Sequence, residues 1–417
     1  MRPPASSGQR VQVNGRTLSW PARPSVVVCF DGCDPSYIEA ARAAKMIPSI
    51  DHMAREGFSA TAASAMPSFT NPNNVSIVCG APPAVHGVSG NYYLDRDTGR
   101  DVMMTDATPL RAPTILARFS QAGAAVIAVT AKDKLRKALG KDLRGIAFSA
   151  ERAASTTEAE HGITGVVELV GRPEPDPYSA DLSLFVLDAG IALLRTRRPD
   201  LMYLSLSDFV QHKYAPGTGE ANVFMREVDV RLGAFVTLGA TVGVVADHGM
   251  TDMALPDGRP NVLYLGDSLD EAFGEGATRV ICPITDPFVR HHGALGGFVR
   301  VHLMRAGVAR DAVLRHVRSL PGVELALVRE EAAARFELPL DREGDIALIG
   351  ARGRAIGARA ADHDLSQLAG ERLRSHGSLH EQPVPFLVSH RVTNEYAARS
   401  RVVRNFDIFE YVLNGTY

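Results

Sequence analysis

Three apolar runs in this chain each end in an aspartate: Ser25–Phe30 leads into Asp31, Asp200–Ser207 into Asp208, and Thr241–Ala246 into Asp247. Taken singly, an aspartate after a strand is ordinarily a turn residue or a helix N-cap. Two of the three also carry a histidine at a spacing that suits a metal ion. Asp208 and His212 stand four apart, so a helix starting after the run brings both side chains onto one face. Asp247 and His248 are neighbours followed by Gly249, and a glycine permits the sharp turn that lets adjacent side chains reach one ion. Further on, Ser375–Phe386 (SHGSLHEQPVPF) offers His376 and His380, one of which would complete a second group with Asp208 and His212. Imidazole and carboxylate donors without sulfur favour zinc, manganese or iron over an oxygen-only magnesium site. Two such ions about 3.5–4 Å apart hold the attacking and leaving-side oxygens of an in-line displacement.

The nucleophile for such a displacement comes from Met66–Gly80 (MPSFTNPNNVSIVCG), where Thr70 precedes Asn71, Pro72 and Asn73 and then an apolar helical stretch. Local sequence alone makes Thr70 an N-cap as readily as a reactant. Free N–H groups at a helix start bind phosphate oxygens. A hydroxyl facing a divalent cation loses its proton near neutral pH, as bound water does when its pKa falls from about 15.7 to about 7. Such an alkoxide attacks phosphorus. Two other segments read either as substrate contacts or as plain structure. Ser89–Asp95 (SGNYYLD) presents Asn91, an amide donor for a substrate oxygen or a turn residue. Thr130–Gly140 (TAKDKLRKALG) puts Lys132 and Lys134 on the rim that holds the acids, as a basic patch or a solvated helix start. Of the other histidines, His52 and His86 read as lying in helix or turn contexts, and His161 and His363 have no metal-spaced partner outside this set. His291 reads as a solvated loop residue near the entrance, and His380 as a support for the site.

The elements that must position these residues follow from the apolar runs themselves. Runs of five to seven residues with little alternation, Ala124–Thr130 and Val384–Val388 among them, read as strands buried on both faces. Helical periodicity over Thr114–Gly123 and Ala221–Leu238 separates them. Strand–helix alternation predicts an α/β fold with a mostly parallel central sheet flanked by helices, and in such sheets ligands sit at the carboxyl ends of the strands. From about Asp252 to Leu373 the texture changes to Gly-rich turns, an alternating Gly297–Met304, a helical Asp311–Leu320 and short strands at Glu324–Val328 and Asp345–Ile349. This reads as a smaller inserted α+β cap at 252–373, between core segments 1–251 and 374–417. The Pro-rich Arg172–Tyr178 is a loop.

Composition narrows the partners. Hydrophobic residues make up 45% of 417 and the formal charge is −2, which excludes a global basic field for nucleic acid or an anionic membrane. Disorder is confined at most to the first twenty or so residues. No run reaches the length of a membrane span and the N-terminus has no apolar secretory core. The four cysteines (Cys29, Cys33, Cys79, Cys282) form no zinc pattern and read as buried free thiols, so the expected location is the cytoplasm. A homodimer is left open.

The set Asp31, Thr70, Asp208–His212, Asp247–His248 and His376, in this order, resembles the alkaline phosphatase superfamily. Within it the chain is similar to the nucleotide pyrophosphatase/phosphodiesterase-like and phosphonoacetate hydrolase branches. The resemblance implies an alkaline-phosphatase-like core and two zinc ions, one on Asp31, Thr70, Asp247 and His248, the other on Asp208, His212 and His376. It also implies a substrate role for Asn91 and, through the FTNPNN wording and the Lys132/Lys134 pair, a small phosphonate whose carboxylate the lysines bind. The expected reaction is C–P cleavage of phosphonoacetate to acetate and phosphate through a phospho-threonine. The alternative is phosphodiester hydrolysis on the same core, which would call for aromatic residues to stack a base; Phe69, Tyr92 and Tyr214 are the candidates.

Overall fold

A computed structural model describes residues 9–286, 292–368, 370–400 and 403–417. Among these, seven strands form the main sheet. They are β1 (Ser25–Cys29), β2 (Phe58–Ala63), β3 (Val126–Thr130), β4 (Ile146–Ser149), β5 (Leu201–Ser205), β6 (Thr241–Val245) and β7 (Pro383–Val388). Their order across the sheet is β2-β7-β6-β1-β5-β3-β4. The five from β6 to β4 run parallel, and β7 and β2 close one edge antiparallel. Every residue of β1, β3, β5 and β6 is buried, which is why these runs lack alternation: helices cover both faces of a parallel sheet. The sheet is accordingly a mixed, mostly parallel one flanked by helices, including Thr70–Cys79, Ile115–Gln121, Asp181–Arg197 and Gly219–Thr237.

Two strands were not legible in the sequence. Phe58–Ala63 (FSATAA) alternates and is poor in branched residues, and Ile146–Ser149 is four residues long; both lie at sheet edges, where burial on both faces is not imposed. The N-terminal stretch is also better ordered than its composition suggests. Arg10–Val13 pairs with Arg16–Ser19 as a hairpin that buries Val11, Val13 and Leu18. Residues 1–8, part of the segment read as lacking a secretory core, lie outside the described residues.

Between β6 and β7 a second sheet of four strands forms, in the order Thr278–Ile281, Phe298–Leu303, Ile346–Gly350, Val323–Val328. All its pairings are antiparallel. With helices Leu265–Phe273, Arg310–Ser319 and Arg329–Phe336 it buries its own apolar cluster, into which Met66 and Phe69 project from the main unit.

Candidate metal and active site

The parallel strands deliver the acids to one rim. Asp31 follows β1, Asp208 follows β5 and Asp247 follows β6. Because β7 runs antiparallel to β6, its start lies at the same rim, and the segment entering it brings His376 there. Gly32 lets the strand ends converge: its φ is +68°, its amide donates to Asp247 Oδ1 at 3.2 Å, and a Cβ on it would meet Asp208 Cβ at 2.9 Å. The expected role of Gly249 differs. It keeps an ordinary φ, and what excludes a side chain there is Asp34 Oδ2, 2.8 Å from where a Cβ would sit.

Two groups of ligand atoms result. Asp208, His212 and His376 form one, Asp31, Asp247 and His248 the other, and within each the donor atoms lie within 4.8 Å of one another. A short helix, Phe209–Lys213, follows Asp208 and turns His212 Nε2 to 2.9 Å from Asp208 Oδ2. Each imidazole is held through Nδ1 against a backbone carbonyl: His212 on Arg374 at 2.7 Å, His248 on Gly249 at 2.8 Å and His376 on Ser68 at 2.8 Å. That contact places the proton on Nδ1 and leaves the Nε2 lone pair as the donor atom, the arrangement a metal ligand requires. His248 and His376 stack with ring centroids 3.5 Å apart.

The electrostatics fit cations. Burial, reinforced by the charges of Asp208 and Asp247, pushes the Asp31 carboxyl well above its usual range. Burial likewise raises Asp247, and burial together with His248 and His212 drives His376 far below the ordinary imidazole value. Asp31 Oδ1 is buried with no hydrogen-bond partner. Carboxylates crowded this way are costly unless positive charge sits among them. The donor set, oxygen and nitrogen without sulfur, suits zinc, manganese or iron.

Thr70 opens the helix Thr70–Cys79, and its Oγ1 lies 3.1 Å from His248 Nε2. It lines a cavity of about 370 Å³ together with Asp31, Asp208, His376, Lys132, Lys134 and Asn91. Asn91 is buried; its amide nitrogen donates to the Ile284 carbonyl at 3.2 Å, while its Oδ1 has no partner. The lysines are already engaged. Lys134 is ion-paired with Asp286. Lys132 Nζ donates to the Pro177 carbonyl at 2.9 Å, lies 3.8 Å from Glu151 and faces the Tyr178 ring. Among the described residues no phenylalanine, tyrosine or tryptophan lines this cavity. Phe69 is fully buried against Phe298 and His376, so it offers no face to a base.

Several residues around the site were not singled out in the sequence. Asn74, one helical turn after Thr70, donates to Asp247 Oδ2 at 3.0 Å and to the Thr70 carbonyl at 3.1 Å, and its own Oδ1 accepts from Tyr203 and Ser205. The spacing of four from Thr70 was a usable signal. Arg374, whose carbonyl holds His212, is fixed through its guanidinium to the Gln211 carbonyl and the Tyr37 hydroxyl; nothing local marks that contact across 163 residues. Asp286 and His292 also line the cavity. His380, expected to support the site, points elsewhere and pairs with Glu324 Oε2 at 2.6 Å, since the short helical turn at Leu379–Glu381 swings it toward the second sheet. His291 lies outside the described residues.

A sequence model of the family described as type I phosphodiesterase / nucleotide pyrophosphatase matches residues 25–378. The chain is similar to phosphonoacetate hydrolase from Sinorhizobium meliloti 1021 crystallised with phosphonoformate, at 48% identity over 98% of this chain and 99% of that one, with a TM-score of 0.93. The same relative crystallised with phosphonoacetate matches at 47% identity over 98% and 99%, with a TM-score of 0.92. Murine ectonucleotide pyrophosphatase / phosphodiesterase 5 shares the fold at 17% identity over 94% of this chain and 95% of that one, with a TM-score of 0.62.

Proposed function

The chain belongs to the type I phosphodiesterase / nucleotide pyrophosphatase family, and from that premise we propose that it is a hydrolase that cleaves the C–P bond of phosphonoacetate, giving acetate and phosphate. The observation that carries this reading is one cavity lined by Thr70, by members of both ligand groups (Asp31 from one, Asp208 and His376 from the other) and by Lys132 and Lys134. The similarity to a phosphonoacetate hydrolase seen with phosphonoacetate supports it.

In this reading Asp31, Thr70, Asp247 and His248 hold one zinc ion and Asp208, His212 and His376 the other, under a cap formed by residues 252–373. Cations held by these residues would lower the pKa of the Thr70 hydroxyl and offset charge on the phosphonate. Thr70 Oγ1 bonds to phosphorus as the P–C bond breaks, and the bonding pair passes into the carboxylate as an enolate-like anion. Lys132 and Lys134 face that carboxylate, so their attraction grows as the charge develops, which is the kind of interaction that lowers a barrier. Protonation at carbon gives acetate. Asn91 donates its second N–H to a phosphonate oxygen. Water then cleaves the phospho-threonine, releasing phosphate and restoring the hydroxyl.

Four buried free thiols suit a reducing compartment, and we place the enzyme in the cytoplasm. Among the described residues no helix is long and apolar enough to cross a membrane. A second reading, phosphodiester hydrolysis on the same core, is favoured by the family description, but the cavity offers charge where a nucleotide would want stacking. The deciding experiment compares phosphonoacetate with an aryl phosphodiester, using protein loaded with zinc and protein stripped by a chelator. Equimolar acetate and phosphate from the loaded protein alone, faster than diester turnover, are expected. Brisk diester cleavage without phosphate release would move the substrate to the second reading.

A further inference from the structure

Asn91 sits on a loop that the metal-bearing strands do not support. Its backbone amide donates to the Pro283 carbonyl at 2.8 Å, its carbonyl accepts from the Met104 amide at 2.8 Å, and its side chain reaches Ile284. Gly90 before it lies so close to Pro283 that an added Cβ would come within 2.7 Å of the proline ring. One residue earlier, Ser89 is held from both sides by a single ion pair. Arg300 Nη2 donates to the Ser89 carbonyl at 3.0 Å, and the Ser89 hydroxyl interacts with the Glu343 carboxylate. Arg300 Nε in turn donates to Glu343 Oε2 at 2.7 Å, and both side chains are 0% exposed.

Fully buried ion pairs are poor stabilisers. Desolvation consumes much of their attraction, and an apolar pair of similar volume often serves as well or better. This pair also leaves Arg300 Nη1 without a partner, a further cost. Its geometry answers a different need: the guanidinium that pairs with Glu343 also takes the Ser89 carbonyl. Arg300 lies on the four-stranded sheet and Glu343 on the segment leading into its strand Ile346–Gly350. The second sheet thus grips the loop that carries a group of the active-site cavity.

We propose that Arg300 and Glu343 are positioning residues, which fix Ser89 and so hold Asn91 in the cavity that Thr70 also lines. The inference deepens the functional reading above and, for its effect on turnover, rests on it. Two readouts separate the two ideas. The first is amide hydrogen exchange, which needs no substrate. In the double variant Arg300→Met/Glu343→Leu, chosen to avoid a lone buried charge, the Asn91 and Met104 amides are expected to exchange more than about 100-fold faster while those of Phe298–Leu303 keep their protection. The second is a double-mutant cycle on the zinc-loaded protein. The Arg300→Met/Glu343→Leu change should lower kcat/KM for phosphonoacetate about 10- to 100-fold in the native background, and less than about 2-fold in an Asn91→Ala background. Ser89→Ala, which removes only the hydroxyl contact, is the milder companion, with a loss of about 3-fold that also vanishes beside Asn91→Ala. Unchanged protection at Asn91, or equal losses in both backgrounds, overturns the proposal and leaves the pair a structural one. Lost protection in a protein that does not act on phosphonoacetate sinks the functional reading and leaves the positioning role standing. Should the double variant fail to fold, Ser89→Ala carries both readouts alone.

Discussion

The two walls of the cavity are built on opposite plans. On the wall of acids and histidines the side chains are short and all but Asp208 are buried: three carboxylates at strand ends, and three imidazoles each fixed through Nδ1 to a carbonyl. On the lysine wall the charged groups ride on long stems and pair with carboxylates, Lys134 with Asp286 and Lys132 near Glu151. The first wall has its geometry set before any ligand arrives, at the cost of carboxylates raised by mutual repulsion and burial. The second has its lysines paired with carboxylates. A rigid wall suits the step in which bonds change, where small displacements are expensive. An exchangeable wall suits choice among substrates, which is a difference of affinities.

Damage to the two walls is expected to differ in kind. Thr70→Ala on the rigid wall should cost the most, about 10⁴-fold or more in turnover, with bound zinc measured by elemental analysis unchanged; turnover within tenfold of native would remove Thr70 from its role. Next comes the exchangeable wall. Lys132→Ala with Lys134→Ala should lower kcat/KM for phosphonoacetate by about 100-fold more than for an aryl phosphodiester, and equal losses on both substrates would mean the lysines do not read a carboxylate.

A third test uses acid. His86 braces the helix that begins at Thr70, through its Nε2 contact with Ser76 at 2.8 Å, and takes the Val88 amide on Nδ1 at 3.1 Å. Burial lowers it to about 3, so it stays neutral in the fold, whereas the unfolded chain takes up a proton below about 6.5. Stability from this group is therefore complete above about pH 6.5 and falls as pH drops toward 3, by about 2 kcal/mol at pH 5. Denaturant titrations should show His86→Asn with a shallower pH slope, less by about one proton between pH 6 and 4; an unchanged slope would show that His86 is not held neutral. The smallest effect is expected from Asp286→Asn. Freeing Lys134 should lower KM for phosphonoacetate about 3-fold with little change in kcat, and a raised KM would make Asp286 a contributor to binding and not a competitor.

How much of this was legible varies with the physics of each element. The four central strands could be read because parallel strands covered on both faces must be apolar throughout. The acids could be read because they end those runs, and His212 because four residues make one helical turn. Edge strands Phe58–Ala63 and Ile146–Ser149 escaped, since nothing forces an edge to be uniformly apolar. Asn91 and the lysines were legible as candidates, but not that Asp286 already occupies Lys134 or that Arg300 and Glu343 clasp Ser89.

The sequence by itself determined the candidates for chemistry and the alternation that sends three aspartates to one rim. It could do so because strand period, helical turn and apolar burial act over a few residues and leave their mark locally. Only the tertiary structure decided which carbonyl fixes each imidazole, which counter-ion meets each lysine, and where His380 turns. Those contacts join residues as far apart as Ser68 and His376, and they depend on how the second sheet packs against the first, which no local pattern encodes.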